Sequence, residues 1–302
     1  MSVSRKTKDV YLIDASIYIF RAWFSLPDTM SSDDDTPVNA VYGYLRFLTE
    51  FLEQTKPAYV AVAFDESLTT SFRNELYPEY KANRDLPPPE LERQFEACQT
   101  FTRALGIKSF CHERFEADDL IATIAQKMRT LGFRNIVVTS DKDLTQILTG
   151  TDLWWNYGRG ETLDVEGVKR RFGVGSTQIR DYLALVGDSV DNIPGVPGIG
   201  PKTAVRLLRL YPDLEAIYEH LAEIPQLAFR GAGRIAKSLQ DHRAQVFLSR
   251  ELATVALDAP LVIEDESLRI ESRDDATLDL LVKWMTRGNG FVERIRNVLP
   301  SR

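Results

Sequence analysis

Gly187-Asp188-Ser189-Val190-Asp191-Asn192-Ile193-Pro194-Gly195-Val196-Pro197-Gly198-Ile199-Gly200-Pro201-Lys202-Thr203-Ala204 joins a pair of acids to a Gly-Pro loop that leads into a basic helix. Asp188 and Asp191 stand three apart, a spacing that turns both carboxylates toward one point wherever the backbone is helical, as a hard divalent cation prefers. Glycines and prolines then precede Lys202, Arg206 and Arg209, with no acid among them, so backbone N–H groups and cations converge on an anion. Gly198, Gly200, Lys202, Thr203 and Arg206 are therefore candidate contacts to a nucleic-acid backbone, made without reading sequence because phosphates are common to every base pair. A plain turn cluster beside a capping acid explains either half, but less readily their succession. A nucleotide-binding P-loop does not fit, since Pro201 separates Gly200 from Lys202.

Three apolar, β-branched runs elsewhere each end in an acid: Val10 to Asp14, Tyr59 to Asp65 and Asn135 to Asp141. Nearly unbroken apolar strands separated by helical segments predict a parallel sheet covered on both faces, with ligands gathering at the carboxyl ends of its strands. Asp14, Asp65 and Asp141 then share one edge. Residues 38–54 and 91–105 read as amphipathic helices, the second stopped by Gly106. Glu116, Asp118 and Asp119 crowd the first turn of a further helix, more acids than a helix dipole uses, and Asp143 follows Asp141 at a strand end.

Residues 71–92 alternate aromatics with charges and finish in three prolines, which predicts an exposed, mobile excursion. Lys81 and Arg84, three apart, share a face if this segment is helical and bring two cations to a phosphate. Tyr80, among polar neighbours, is a candidate for base stacking. Arg21, near Tyr18, Phe20 and Trp23, is a candidate grip on a phosphate or base, with Phe20 and Trp23 themselves read as core. Asp33, Asp34 and Asp35 read as a solvated run.

From Asp164 the chain reads as helical, with Asp164 and Ser176 as caps and helices over 201–210, 213–221 and 231–257. Arg230, Arg234, Lys237 and Arg243 read as a solvated basic face, and 277–285 as an amphipathic helix with no assigned chemistry. The expected division is 1–175, 176–260 and 261–302.

The 302 residues suffice for one large or two modest domains. No apolar run approaches the ~20 residues of a membrane span, and residues 1–8 lack a signal-like apolar stretch, which predicts a cytoplasmic protein. Cys98 and Cys111 with His112, His220 and His242 give neither a disulfide framework nor zinc spacing. A net charge of −7 is at first sight wrong for a nucleic-acid partner. Setting nine clustered acids aside leaves 35 acids against 37 basic residues, so local distribution outweighs the total.

The Gly187 to Ala204 stretch resembles the helix-hairpin-helix region of the bacterial 5'-3' exonuclease and flap endonuclease family, which includes the N-terminal domain of DNA polymerase I. The likeness extends over about residues 8–260, with no departure at the motif acids. It implies an α/β fold: a parallel-sheet (PIN/FEN-like) nuclease core, a helical arch at about 71–92 through which a single strand passes, and a helical H2TH region. Phe72-Arg73 and Tyr80 to Arg84 are similar to that arch, which makes Arg73 a further DNA contact. The resemblance gives Asp14, Asp65, Glu116 and Asp118 to one metal site, with Asp119 close by. Asp141, Asp143, Asp188 and Asp191 form or support a second, some through water. Two Mg²⁺ ions, replaceable by Mn²⁺, are the implied cofactors, and carbonyls of the helix-hairpin-helix region are expected to hold K⁺. Nine crowded carboxylates repel one another unless cations neutralise them, and a two-metal arrangement suits phosphodiester hydrolysis. A monomeric, stand-alone enzyme acting on DNA with 5' single-stranded ends or flaps is the leading expectation. A DNA-structure clamp without catalysis and a ribonuclease on a similar acidic sheet are the competing readings.

Overall fold

The computed structural model describes residues 8–32, 36–66, 70–264, 266–285 and 289–299; the Asp33 to Asp35 run lies outside them. Strands β1 (Lys8–Asp14), β2 (Val60–Ala63), β3 (Lys108–Phe110), β4 (Phe133–Val138), β5 (Leu153–Asn156) and β6 (Glu161–Leu163) form one sheet in the order β3-β2-β1-β4-β5-β6. The first five run parallel, and β6 turns back antiparallel on β5. Three of these strands are the apolar runs expected from sequence. β3, β5 and β6 were not anticipated: they are three or four residues long, too short to print a pattern.

The strand period of two explains the two cores. Val10, Leu12, Ala61, Ala63 and Val137 face one side, against Leu120, Ile121, Ile124, Ala125 and Met128 of the helix Ala117–Thr130. Ile13, Val60, Val62, Ile136 and Val138 face the other, against the helices Asn39–Thr55 and Pro89–Ala104. The order of the central strands, β2-β1-β4, reverses direction at β1, so the crevice beside its carboxyl end is open to a ligand.

The first core runs on without interruption into the helices Val165–Phe172, Ile179–Val186, Pro201–Leu210 and Leu214–Glu219. Asp164 caps the first of them as expected, its carboxylate accepting from Gly167 N at 2.6 Å. Ser176 does not cap; its backbone begins a 3₁₀ turn, and its hydroxyl is buried without a hydrogen bond. The single helix read over 231–257 is two, Ala232–Asp241 and Arg243–Ala253, broken at His242. The break redirects the apolar stripe, so that Ile235, Ala236 and Leu239 and then Val246 and Leu252 all reach the core.

The tail has a structural task. Tyr59 and Arg269 form a β-bridge, Val60 N donates to Leu268 O and Ile270 N to Ala58 O, covering the end of the sheet remote from the acids. The helix Asp275–Trp284 then buries Leu278 and Val282 in the second core.

Gly187 and Gly195 meet back to back. A Cβ on Gly195 would lie 2.3 Å from the Val186 carbonyl oxygen, and one on Gly187, where φ is +79°, would lie 2.6 Å from Gly195 N. Gly200, by contrast, has open space around it. Gly195→Ala is therefore expected to cost about 3 kcal/mol of stability, whereas Gly200→Ala stays within about 0.5 kcal/mol, measured by urea unfolding.

Candidate active site

Asp14 ends β1, and its carboxylate accepts from Thr139 Oγ1 at 2.9 Å. Thr139 Oγ1 accepts in turn from Asp141 N at 3.0 Å, so one buried hydroxyl ties the ends of β1 and β4 together. Asp65 lies two residues past β2. Its N–H donates to Ser16 Oγ at 3.2 Å, and its Oδ1 accepts from Ala117 N at 2.9 Å, at the positive end of the helix Ala117–Thr130. Asp118 stands in the first turn of that helix.

The electrostatics show that these acids share one field. Burial, then Asp65 and Asp141, push the Asp14 carboxyl up to about 7. Burial and the charges of Asp141, Asp14 and Asp65 drive Asp118 well above the carboxylate range. Burial also raises Asp141, although the Asp143 N–H and Lys142 offset part of the effect. Asp143, in the 3₁₀ turn Asp143–Ile147, rises to about 7 through burial and the charges of Asp141, Asp188 and Asp191.

The Asp188 to Ile193 turn supplies the remaining acids, closed by paired backbone hydrogen bonds between Asp188 and Ile193 at 2.9 and 2.8 Å. Lys142 Nζ sits 2.9 Å from Asp188 and 3.4 Å from Asp143. Burial raises the Asp188 carboxyl, but Lys142 outweighs it and holds the group below its ordinary value. Among the described residues, no three acid, His or Cys side chains stand ready to close on a single ion. The cluster is a loosely spaced set of oxygens, which suits a cation that keeps much of its water.

Glu116 has a different setting. It is the N-cap residue of the helix, 7% exposed, and accepts from Lys81 Nζ at 2.7 Å and Tyr80 OH at 3.1 Å. Burial pushes its carboxyl up, but Lys81 and Arg73 prevail and hold it below the ordinary value. Lys81 lies 3.9 Å from Asp191 as well, and Arg84 NH2 pairs with Asp191. Both cations expected at the site are thus beside its acids. The segment is a turn rather than a helix there, with Lys81 at a φ of +56°.

Three expectations fail. Asp119 is fully buried and grips Arg73 with both oxygens, 2.7 Å each, while also accepting from Glu116 N and Ala256 N. Its lone pairs are taken, so it braces the site instead of holding a metal. Arg73, 2% exposed, gives two further donors to the carbonyls of Leu252 and Thr254 and turns its NH1 toward Glu116 at 3.8 Å, so burial withdraws it from DNA. Tyr80, 3% exposed, packs in the first core and cannot stack on a base. The mobile excursion expected over 71–92 is accordingly anchored: Ser71, Arg73, Tyr80 and Leu91 are buried, and Phe72–Leu76 is a short helix. A buried ion pair between residues 46 positions apart leaves no periodic signal in either segment.

Arg21 is exposed, its guanidinium 5.0 Å over the Tyr18 ring. Phe20 and Trp23 are partly buried against the second core. Gly200 precedes the helix Pro201–Leu210, Gly198 has a φ of +84°, Lys202 is exposed, and Thr203 is half-buried. Arg206 is also exposed and donates to Ala228 O at 2.9 Å. Thr139 and Lys142 were missed by sequence reasoning; only Lys142, enclosed by two named acids, carried a legible signal.

The model of the 5'-3' exonuclease N-terminal resolvase-like domain matches residues 9–173, and that of the 5'-3' exonuclease C-terminal SAM fold matches 174–276. The chain is 32% identical over 279 residues to the 5'-3' exonuclease of Buchnera aphidicola subsp. Schizaphis graminum, covering 92% of this chain and 97% of that protein. It is 42% identical over 258 residues to DNA polymerase I of Pseudomonas aeruginosa, covering 85% of this chain but 28% of that protein. Among solved structures, the fold is shared with the T5 5'-exonuclease bound to zinc (TM-score 0.64, 19% identity, 96% of this chain and 98% of the other). It is shared likewise with the catalytic core of Rad2 in complex with DNA substrate (TM-score 0.64, 16% identity, 97% and 93%). Two consecutive family matches spanning nearly the whole chain, on a sheet whose parallel strands end in clustered acids, establish that this protein belongs to the 5'-3' exonuclease family.

Proposed function

We propose that the protein is a divalent-metal-dependent 5'-3' exonuclease and flap endonuclease that hydrolyses phosphodiester bonds of DNA. The observation that carries this reading is the convergence of Asp14, Asp65, Asp118 and Asp141 from three strand ends and a helix start, close enough that burial and neighbouring charge raise Asp14, Asp118 and Asp141. All donors are carboxylate oxygens, which favours a hard cation such as Mg²⁺, with Mn²⁺ as a substitute. A further observation agrees: Asp143 Oδ1 is buried, accepts no hydrogen bond and has Lys142 Nζ at 3.4 Å. Asp14, Asp65, Asp118 and Asp141 would hold one ion, with Glu116 steering Lys81 alongside, and Asp143, Asp188 and Asp191 would support a second.

When bound, such ions supply Lewis-acid polarisation of the phosphodiester and activation of water near neutral pH. The chain's own residues do the rest. Lys81 and Arg84 face the acids and can swing onto phosphoryl oxygens as negative charge accumulates there. Gly198, Gly200 and Lys202 would present backbone N–H groups and a cation to the duplex backbone, with Thr203, whose own N–H is given to Gly200 O, offering its hydroxyl, and the exposed Arg21 would meet a phosphate or base. Carbonyls of Pro194, Gly195 and Pro197 each accept one side-chain hydrogen bond, from Ser249, Gln245 and Ser238, and K⁺ would be held by carbonyl lone pairs of this loop. Preference for 5' single-stranded ends or flaps follows from recognition by backbone and shape.

Asp141→Ala is expected to lower cleavage of end-labelled flap DNA in Mg²⁺ by about a thousandfold or more while DNA binding in a gel shift persists; wild-type turnover would reject the site. Stability separates the acids further. Asp119→Asn breaks a buried ion pair and should cost about 3–5 kcal/mol, whereas Asp143→Asn removes a repelled charge and should raise the metal-free melting temperature.

The pH dependence has a definite sign. Asp14 and Asp143 have folded values near 7, above the ordinary 3.8, so the fold binds more protons than the unfolded chain between those limits. Their stabilisation is complete below about pH 4 and is lost as the pH rises through 7. Metal-free protein should therefore melt lower at pH 8 than at pH 5, and Mg²⁺ at pH 8 should restore about 5 °C in differential scanning calorimetry.

A further inference from the structure

Two turns meet across the mouth of the acid cluster. Residues 77–84 carry Lys81 and Arg84, and residues 187–193 carry Asp188 and Asp191. Five hydrogen bonds join them besides the ion pairs: Lys81 N to Asp191 O at 3.0 Å, Asn83 Nδ2 to Ser189 O at 2.8 Å, Asn192 Nδ2 to Glu79 O at 2.6 Å, Arg84 Nε to Val190 O at 3.3 Å, and a long one from Tyr80 OH to Asp191 Oδ2 at 3.5 Å. Two of the donors are asparagine amides with no charge to offer a phosphate or a metal. Both sides of the seam include a left-handed residue, Lys81 at +56° and Asn192 at +54°. Asparagine adopts that conformation readily; for lysine it costs about 1 kcal/mol, which the seam must offset.

The two turns are not equally anchored. The acidic turn is fixed from behind by the Asp188–Ile193 pairing, the Gly187–Gly195 contact and the bond from Gln245 Nε2 to Gly195 O. The cationic turn has short-range bonds such as Asn74 Nδ2 to Tyr80 O, and the reach of Tyr80 and Lys81 to Glu116. Beyond Lys81, the seam is what fixes its placement over the acids. We propose that Asn83 and Asn192 are positioning residues that dock the Lys81–Arg84 turn onto the acidic turn, and so set the distance between the two cations and the metal-binding carboxylates. The proposal rests on the hydrolytic reading above. Each amide is spent on a backbone carbonyl of the facing turn, so each asparagine acts through Lys81 and Arg84.

The test uses the full chain with end-labelled flap DNA and Mg²⁺ titrated at fixed ionic strength. Asn83→Ala deletes one amide from an exposed position, Asn83→Asp keeps its shape but removes the donor, and Asn192→Gly keeps the left-handed backbone while deleting the other amide. Each should lower kcat about 10- to 100-fold, since a displacement of about 1 Å is enough for a loss of that size. KM for DNA and the half-saturating Mg²⁺ concentration should stay within about twofold, because the acids and the duplex grip do not move, and Asn83→Ala should leave stability within about 0.5 kcal/mol. The double variant Asn83→Ala with Asn192→Gly should lose less than the product of the single effects, since both bonds hold one seam. Wild-type kcat in Asn83→Ala and Asn192→Gly overturns the proposal, as does a loss confined to the Mg²⁺ requirement, which would mean that the acidic turn had moved instead. A wild-type chain inert toward flap DNA at every Mg²⁺ concentration rejects the hydrolytic reading, and the positioning role with it.

Discussion

Carboxylates that repel one another, held at the carboxyl edge of a parallel sheet, are the constraint to which the rest of the molecule answers. Burial and mutual charge lift Asp14 and Asp143 to about 7 and Asp118 well above its usual range, so the fold carries this cluster at a cost to its own stability. The cost is met locally by cations: Lys142 between Asp143 and Asp188, Lys81 between Glu116 and Asp191, and Arg84 on Asp191. It is met globally by the two apolar layers packed on either face of the central strands.

The acids divide by whether a partner is fixed or exchangeable. Asp119 has a bidentate arginine and two backbone N–H donors, in a position no solvent reaches, and joins the base of the 71–84 segment to the end of the helix Arg243–Ala253. Asp14, Asp118 and Asp141 have incomplete hydrogen bonding and neighbours of like charge. The same residue type one position apart, Asp118 and Asp119, therefore serves opposite ends, because successive helical positions point about 100° apart.

Much of this was legible from residue order. The apolar runs ending in Asp14, Asp65 and Asp141 announced parallel strands, and the Gly-Pro loop before Lys202 announced a helix start. Short strands, the break at His242 and the bridge from Tyr59 to Arg269 were not legible, since three or four residues give no period and a bridge between distant segments gives no local pattern. Arg73 and Tyr80, within residues 71–92, were misjudged for a related reason: aromatic and charged residues in alternation look exposed until a partner far along the chain buries them.

Sequence by itself determined the class of fold, the acids at the strand ends and the family, because these depend on local periodicity and on long, specific motifs. Tertiary structure alone decided which charges are available. Arg73, Tyr80 and Asp119 carry groups that could serve at the site, yet each is withdrawn into the core by a partner tens of residues away, and Asn83 and Asn192 gain their place only where two turns meet. Availability is a matter of who stands within hydrogen-bonding distance, and that is settled when the chain has folded.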